Sequence, residues 1–254
     1  HENRKTYFQE LATTSELHFL PYIRRFTSVT PQSRILEIGC GEGGNLLPFA
    51  CLGCRVTGID LSENRIRQAR QFFQEEGIPA TFIASDIFQI THLEEAFDIV
   101  LIHDVIEHIS GKQRFLEHIK CFLAPGGILF ISFPAWQMPF GGHQQICRNR
   151  CVSRLPFIHL LPAGAYSGLL HRFGESQARI KELLDIRECR TSIELFEKLL
   201  CTSRYRILHK QFWFINPHYE QKFHLKPRKL PRLISSIPHL RNYFCTSCFY
   251  LIQS

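Results

Sequence analysis

The 254-residue chain has no run of 18 consecutive apolar residues, so no segment reads as a membrane-spanning helix. It has no internal repeat and no low-complexity tract, which argues against a solenoid and against a largely disordered chain. No signal peptide is recognisable at its start, and the expectation is a cytoplasmic protein. No basic segment resembles an RNA-binding module. The ten cysteines lack zinc-site placement. Cys51-x-x-Cys54 falls at a helix-to-strand turn. Cys245-x-x-Cys248 falls in an expected strand, where a separation of three sends side chains to opposite faces. They read as reduced core thiols rather than as a disulfide framework.

What is present is 44% apolar residues, enough to bury the core of one α/β unit with an insertion. Charge is split along the chain. Residues 140–254 carry 18 Lys and Arg against 7 Asp and Glu, a net of +11, while residues 1–139 carry a net of −4. The densest basic patch, Lys222–Arg232, lies among prolines. A basic half suits a phosphorylated or carrier-bound metabolite, a lipid head group or nucleic acid, or it is simply a solvated surface.

The most informative segment is Arg34-Ile-Leu-Glu-Ile-Gly-Cys-Gly-Glu-Gly-Gly44. Ile35, Leu36 and Ile38 read as a buried strand that breaks into a turn at Gly39, Gly41 and Gly43, and helical spacing resumes near Asn45. Glycines there allow a tight turn and a ligand close to the backbone. A second strand, Arg55–Ile59, ends at Asp60, a carboxylate placed for two ribose hydroxyls. Gly39, Gly41 and Gly44 also satisfy the dinucleotide spacing, with Asp60 21 residues past Gly39. Glu37 separates the two readings. Its carboxylate would repel a pyrophosphate but could hold the ammonium of an amino-acid ligand, directly or through water.

Glu37-x-Gly39-x-Gly41-x-Gly43 resembles motif I of the class I S-adenosylmethionine (AdoMet) methyltransferases, and later segments agree in order. Ala84-Ser-Asp86-Ile87 follows a third strand, Phe97–Ile102 is a fourth running into His103, and Leu123-Ala-Pro-Gly-Gly127 precedes a fifth at Ile128–Phe133. The resemblance covers residues 30–135 well. It implies an α/β fold: a Rossmann-like seven-stranded sheet of order 3-2-1-4-5-7-6 with helices on both faces and a helical insertion after strand five. It also implies AdoMet as cofactor, bound by Glu37, Gly39, Cys40, Gly41, Asp60, Leu61, Asp86, Ile87 and His103. Residues 1–30 are expected to form a helical lid, with Tyr7 and Tyr22 as candidates to close it. Residues 31–254 would form the methyltransferase domain, with 134–200 as a substrate-side insertion holding helices at Gln177–Ile186 and Ser192–Cys201. Tyr205–Ile215 and Tyr243–Ile252 are expected as the last two strands, with 216–242 as an excursion between them.

Acceptors in open α/β sheets collect over the carboxyl ends of the strands. If 104–109 begin a helix, Asp104, Glu107 and His108 share one face. With His143 they resemble the metal-binding set of ubiquinone-type O-methyltransferases and small-RNA 2′-O-methyltransferases, which implies a divalent ion, Mg or Mn. Many relatives carry the Glu-His pair without metal, and then His143 or His103 is the candidate general base. Gly141-Gly142 would let that loop approach a ligand. Trp136, Met138 and Phe140 read as an apolar wall for the acceptor or as a plug under the insertion, and His159 and His171 as packing or surface residues. The expected activity is transfer of a methyl group to an oxygen of a small, acidic or carrier-bound metabolite. The alternatives are an RNA methyltransferase, a metal-dependent catechol- or ribose-type O-methyltransferase, a non-catalytic AdoMet-fold subunit and a nicotinamide oxidoreductase.

Overall fold

The computed structural model describes residues 3–91, 93–94 and 96–254, so the first two residues of the expected lid lie outside the described ones. Among the described residues, eight strands form one sheet: β1 Arg34–Ile38, β2 Arg55–Asp60, β3 Thr81–Ala84, β4 Phe97–His103, β5 Leu123–Phe133, β6 Arg206–Ile215, β7 Arg228–Lys229 and β8 Ser247–Gln253. Their order is β3-β2-β1-β4-β5-β8-β6-β7. The expected seven-strand order is present with β8 as its antiparallel seventh strand. The eighth, β7, is a two-residue addition that pairs with β6 beside Trp213 and Ile215. It comes from the proline-rich excursion, where Pro227 and Pro231 confine pairing to the two exposed residues between them.

Side chains alternate across the sheet with the period of two that a pleated backbone imposes. Leu36, Val100, Ile102, Leu129, Ile131, Tyr250 and Ile252 join one core layer. Ile35, Ile99, Leu101, Ile128, Phe130, Phe249 and Leu251 join the other. β1, β4 and β5, at the centre of the sheet, are almost continuously apolar because helices cover both faces.

The helices are α1 Arg4–Thr14, α2 Leu20–Arg24, α3 Leu47–Cys51, α4 Glu63–Glu76, α5 Lys112–Ile119, α6 Arg150–Arg154, α7 Ala163–Arg172, α8 Gln177–Glu188, α9 Ile193–Thr202, α10 His218–Phe223, α11 Arg232–Ser235 and α12 Leu240–Phe244. A π-turn at Ser15–Phe19 joins α1 to α2, just before Pro21, which has no N–H to give the helical ladder. The helical stretch stops at Arg24, short of residue 30, where the expected lid ends. Within the insertion, Val152, Tyr166, Leu170, Ile180 and Leu183 form a small third core.

Two local expectations are corrected. Residues 104–109 do not begin a helix. Asp104 has φ +52°, Ile106–His108 is one 3-10 turn, and α5 waits until Lys112. The Asp104 N–H instead donates to Ser132 O at 3.0 Å, which extends the β4–β5 pairing by one residue. Cys245 and Cys248 do not point to opposite faces. β8 begins only at Ser247, so Cys245 sits in the turn after α12. The two buried sulfurs lie 3.4 Å apart in one core layer.

Candidate active site

The glycine turn follows β1 as the sequence implies. Gly41 has φ +53° and nothing within 4 Å of where a side chain would stand, so the backbone faces open space there. Gly44 serves a different purpose. A Cβ on it would lie 2.7 Å from Leu11 Cβ and would strike the Phe8 carbonyl of α1. This glycine lets the N-terminal helix lie on the turn. Arg4 of α1 pairs with the buried Glu42 at 3.0 Å, and Ser15 Oγ donates to Asn45 O at 2.8 Å.

Glu37 is 1% exposed. Its Oε1 accepts from Asn45 Nδ2 at 2.7 Å, while its buried Oε2 has no partner among the described residues. Burial lifts this carboxyl to about 8, against the opposing pull of Asn45. An orphaned carboxylate oxygen under a glycine turn fits the ammonium of AdoMet, which would meet the unmade interaction. Asp60, at the end of β2, accepts from Gly41 N at 2.9 Å and Ser62 N at 2.8 Å. Asp86 accepts from Phe88 N at 3.0 Å with one oxygen. Leu61 is 76% exposed beside Asp60, whereas Ile87 is buried. The Cys40 thiol packs down toward Gly58, leaving only its backbone on the ligand side.

Beyond the turn lies a cavity of about 580 Å³. Tyr7, Asp104, Met138, Phe140 and His143 line its inner part, and Arg154, Lys222 and Phe223 its rim. Asn216, His218 and Tyr219 complete the wall. These last three come from the 216–242 excursion, of which the sequence singled out only the basic stretch Lys222–Arg232. The only local hint is Asn216-Pro217 at the end of β6, a turn that starts α10. Thr14 Oγ1 and His218 Nδ1 lie 3.1 Å apart, and the Tyr7 and His218 rings meet edge-on at 5.9 Å. α1 and α10 together roof the cavity.

Other candidates lie elsewhere. Tyr22 is buried and bonds His209 Nδ1 at 2.8 Å. Trp136 is plugged against the fully buried His159 with ring centroids at 4.7 Å, so only Met138 and Phe140 of the apolar wall reach the cavity. The space over Gly141 and Gly142 is filled by Trp136 backbone and the His159 ring, which corrects the expectation that this pair admits a ligand. His171 is exposed. His103 does not line the cavity. Its ring lies between Ser132 Oγ, 2.6 Å from Nδ1, and Asp104 Oδ2, 3.4 Å from Nε2.

Glu107, His108 and His143 converge, with one ligand atom of each within 4.8 Å of the others. The two imidazoles meet edge-on at 5.0 Å. Asp104 is not part of this group, because without the helix its carboxylate turns to His103. Both Glu107 oxygens are buried and unpartnered, and burial, aided by Asp104, raises this carboxyl well above the usual range. Burial, with His108 adding to it, lowers His143 to about 4, and burial lowers His108 as well. Neutral imidazoles and an orphaned carboxylate are a donor set that fits a divalent cation. His108 also borders a second cavity of about 470 Å³ against Lys181, Glu182 and Asp185 of α8.

Residues 36–131 match the methyltransferase-domain family. Over 99 residues the chain is 37% identical to the ubiquinone biosynthesis O-methyltransferase of Chelativorans sp. (strain BNC1), covering 39% of each chain. Over 98 residues it is 34% identical to that of Methylobacterium sp. (strain 4-46), again 39% of each. The chain thus spans about two-fifths of the length of the curated relatives it matches. The solved SAM-dependent methyltransferase from Aquifex aeolicus superposes with a TM-score of 0.54 over 92% of this chain and 87% of that one, at 13% identity. Residues 36–131 thus resemble a methyltransferase domain, and the chain has the Rossmann-like fold seen in the solved SAM-dependent methyltransferase.

Proposed function

We propose that this chain transfers a methyl group from AdoMet to an oxygen of a small acceptor that has an apolar body and an acidic or carrier-bound end. The observation that carries the reading is the buried, unpartnered Glu37 oxygen beside the glycine turn, with α1 packed on that turn at Gly44 and lending Tyr7 to an acceptor-sized cavity. Glu37 would hold the ammonium, Asp60 the ribose hydroxyls, and Asp86 the adenine amino group. The cofactor supplies an electrophilic methyl on a sulfonium, so the chain's own task is positioning and exclusion of water. Tyr7 and α10 exclude solvent. Met138 and Phe140 receive the apolar body, and Arg154 and Lys222 at the rim suit its anionic end. His143, unprotonated at neutral pH, stands on the cavity wall to take the acceptor's proton, and His103 steadies Asp104 from behind.

The convergence of Glu107, His108 and His143 favours a second reading, a metal-dependent catechol- or ribose-type O-methyltransferase. A divalent ion there would lower the pKa of a coordinated hydroxyl.

Calorimetric titration with S-adenosylhomocysteine tests the first reading, which requires saturable binding; absence of binding sinks it. Mn²⁺ titrated into the metal-stripped complex then separates the two. Binding that disappears in His143→Ala selects the metal-dependent reaction. A flat titration removes it and leaves His143 as the base.

A further inference from the structure

The second half of the chain keeps its large apolar side chains outside to an unusual degree, and in two places. Leu155, Phe157 and Leu161 are 41%, 39% and 39% exposed in the segment after α6. Phe223, Leu225, Leu233, Ile237, Leu240 and Tyr243 are 41–83% exposed in the segment from α10 to α12. The segments are neighbours: the Phe157 and Tyr243 rings lie 6.4 Å apart, and Arg154 and Phe223 line the same cavity rim. Leu233 is the extreme, at 83% exposed on the four-residue α11. A soluble surface tolerates single apolar residues, but a group of them around a cavity mouth marks a contact surface.

The charges around them have one sign. Residues 140–174 contain no Asp or Glu, and residues 216–244 contain only Glu220. Arg148, Arg150, Arg154, Lys222, Lys226, Arg228, Lys229 and Arg232 are exposed. Among the described residues, none of these eight lies within ion-pair distance of a carboxylate. The cations of α9 and its surroundings behave differently. Arg241 and Lys210 are absorbed by Glu194 and Glu197 at 2.6–3.2 Å. Exposed cations without a carboxylate partner also occur elsewhere, Arg24, Arg55 and Arg65 among them, but these eight share one surface with the protruding apolar side chains.

We propose that this rim is a membrane-docking face, which seats the cavity mouth on an anionic phospholipid bilayer. Leu225, Leu233, Phe157 and Tyr243 enter the head-group boundary, and the surrounding Lys and Arg meet the lipid phosphates. Two observations favour a bilayer over nucleic acid. The protruding side chains are chiefly aliphatic, which gives bases little to stack on, and they are interleaved with cations as interfacial segments are. Docking would bring a membrane-dissolved acceptor to the cavity without crossing water. No helix among the described residues is long and apolar enough to cross a membrane.

The test is flotation of the full chain with two kinds of vesicle, pure phosphatidylcholine and the same lipid containing about one-third phosphatidylglycerol. Neither cofactor nor acceptor is added, so failure here leaves the methyl-transfer reading untouched. The expected result is about tenfold or greater preference for the anionic vesicles. Leu225→Ser/Leu233→Ser and, separately, Lys226→Gln/Lys229→Gln should each reduce binding about tenfold. Both variants avoid the cavity lining, and unchanged melting and S-adenosylhomocysteine binding would show that they are folded. Equal binding to both vesicles, no binding, or anionic-vesicle binding that survives the Leu pair would overturn the proposal. Binding to a uridine oligonucleotide without binding to either vesicle would overturn it in favour of RNA.

Discussion

At the scale of single residues, the site rests on two carboxyls that water cannot reach. Glu37 carries a pKa of about 8 in the folded chain against an ordinary 4.5. A carboxyl raised by folding binds more protons in the native than in the unfolded state. Stability it contributes below its unfolded pKa is therefore lost as pH rises from about 4.5 through 8. The ligand-free protein should lose stability across that window, and Glu37→Gln should flatten the slope by up to about 1.4 kcal/mol per pH unit. Urea unfolding at several pH values reads this; an unchanged slope would refute the burial argument. The same variant should weaken S-adenosylhomocysteine binding by about tenfold or more, since an amide cannot supply the charge that an ammonium needs. For Glu107, replacement by Gln should leave the ligand-free protein near wild-type stability, because burial disfavours the charged form of this side chain. Mn²⁺ affinity should nevertheless fall at least about tenfold if the group binds metal. Glu37 was legible from its place before the first glycine, because strand, turn and carboxylate lie within a few residues. Asp104 was misjudged because the helix that would have aligned it with Glu107 and His108 does not form.

At the scale of elements, α1 is held to the glycine turn by a close approach that depends on Gly44. Gly44→Ala would drive a methyl into the Phe8 carbonyl and Leu11. It should cost about 1–3 kcal/mol and expose α1 to protease, with cofactor release accelerated. Limited proteolysis that leaves α1 as resistant as in the wild type would count against its role as a lid. α12 is placed just as specifically: Asn242 donates to Glu194 Oε2 at 2.6 Å and accepts from Ile193 N at 2.8 Å. That lock fixes the start of β8 at Ser247 and brings Cys245 back over Cys248, which a strand pattern read from the sequence could not show. The helices α8 and α9 were legible, within two residues at each end, because each pairs a Ser N-cap with helical apolar spacing.

At the scale of the whole molecule, the sheet carries two apolar layers, and the one on the α5 and α9 side is tied to the insertion by aromatic contacts. Phe133 stacks on Tyr250 at 6.1 Å and meets Phe196 of α9 at 4.8 Å. Phe133→Ala should cost about 3–5 kcal/mol and lower the thermal midpoint without a separate insertion transition. A two-step melt in calorimetry would show instead that the insertion folds alone. The sequence by itself determined where the first five strands lie and the glycine turn with Glu37 and Asp60, while the order of the sheet was implied by the family resemblance that those motifs carry. The strands and the turn follow from short apolar runs and from residues close together in the chain, where local geometry leaves few alternatives. Only the tertiary structure decided that Tyr7 and Thr14 meet His218, 204 residues beyond Thr14, that Trp136 is a plug while Met138 lines the cavity, and that Arg154 and Lys222 of the basic half reach the cavity mouth. Those meetings depend on how separate elements pack, and the sheet must exist before α1, α10 and the insertion have a common surface on which to converge.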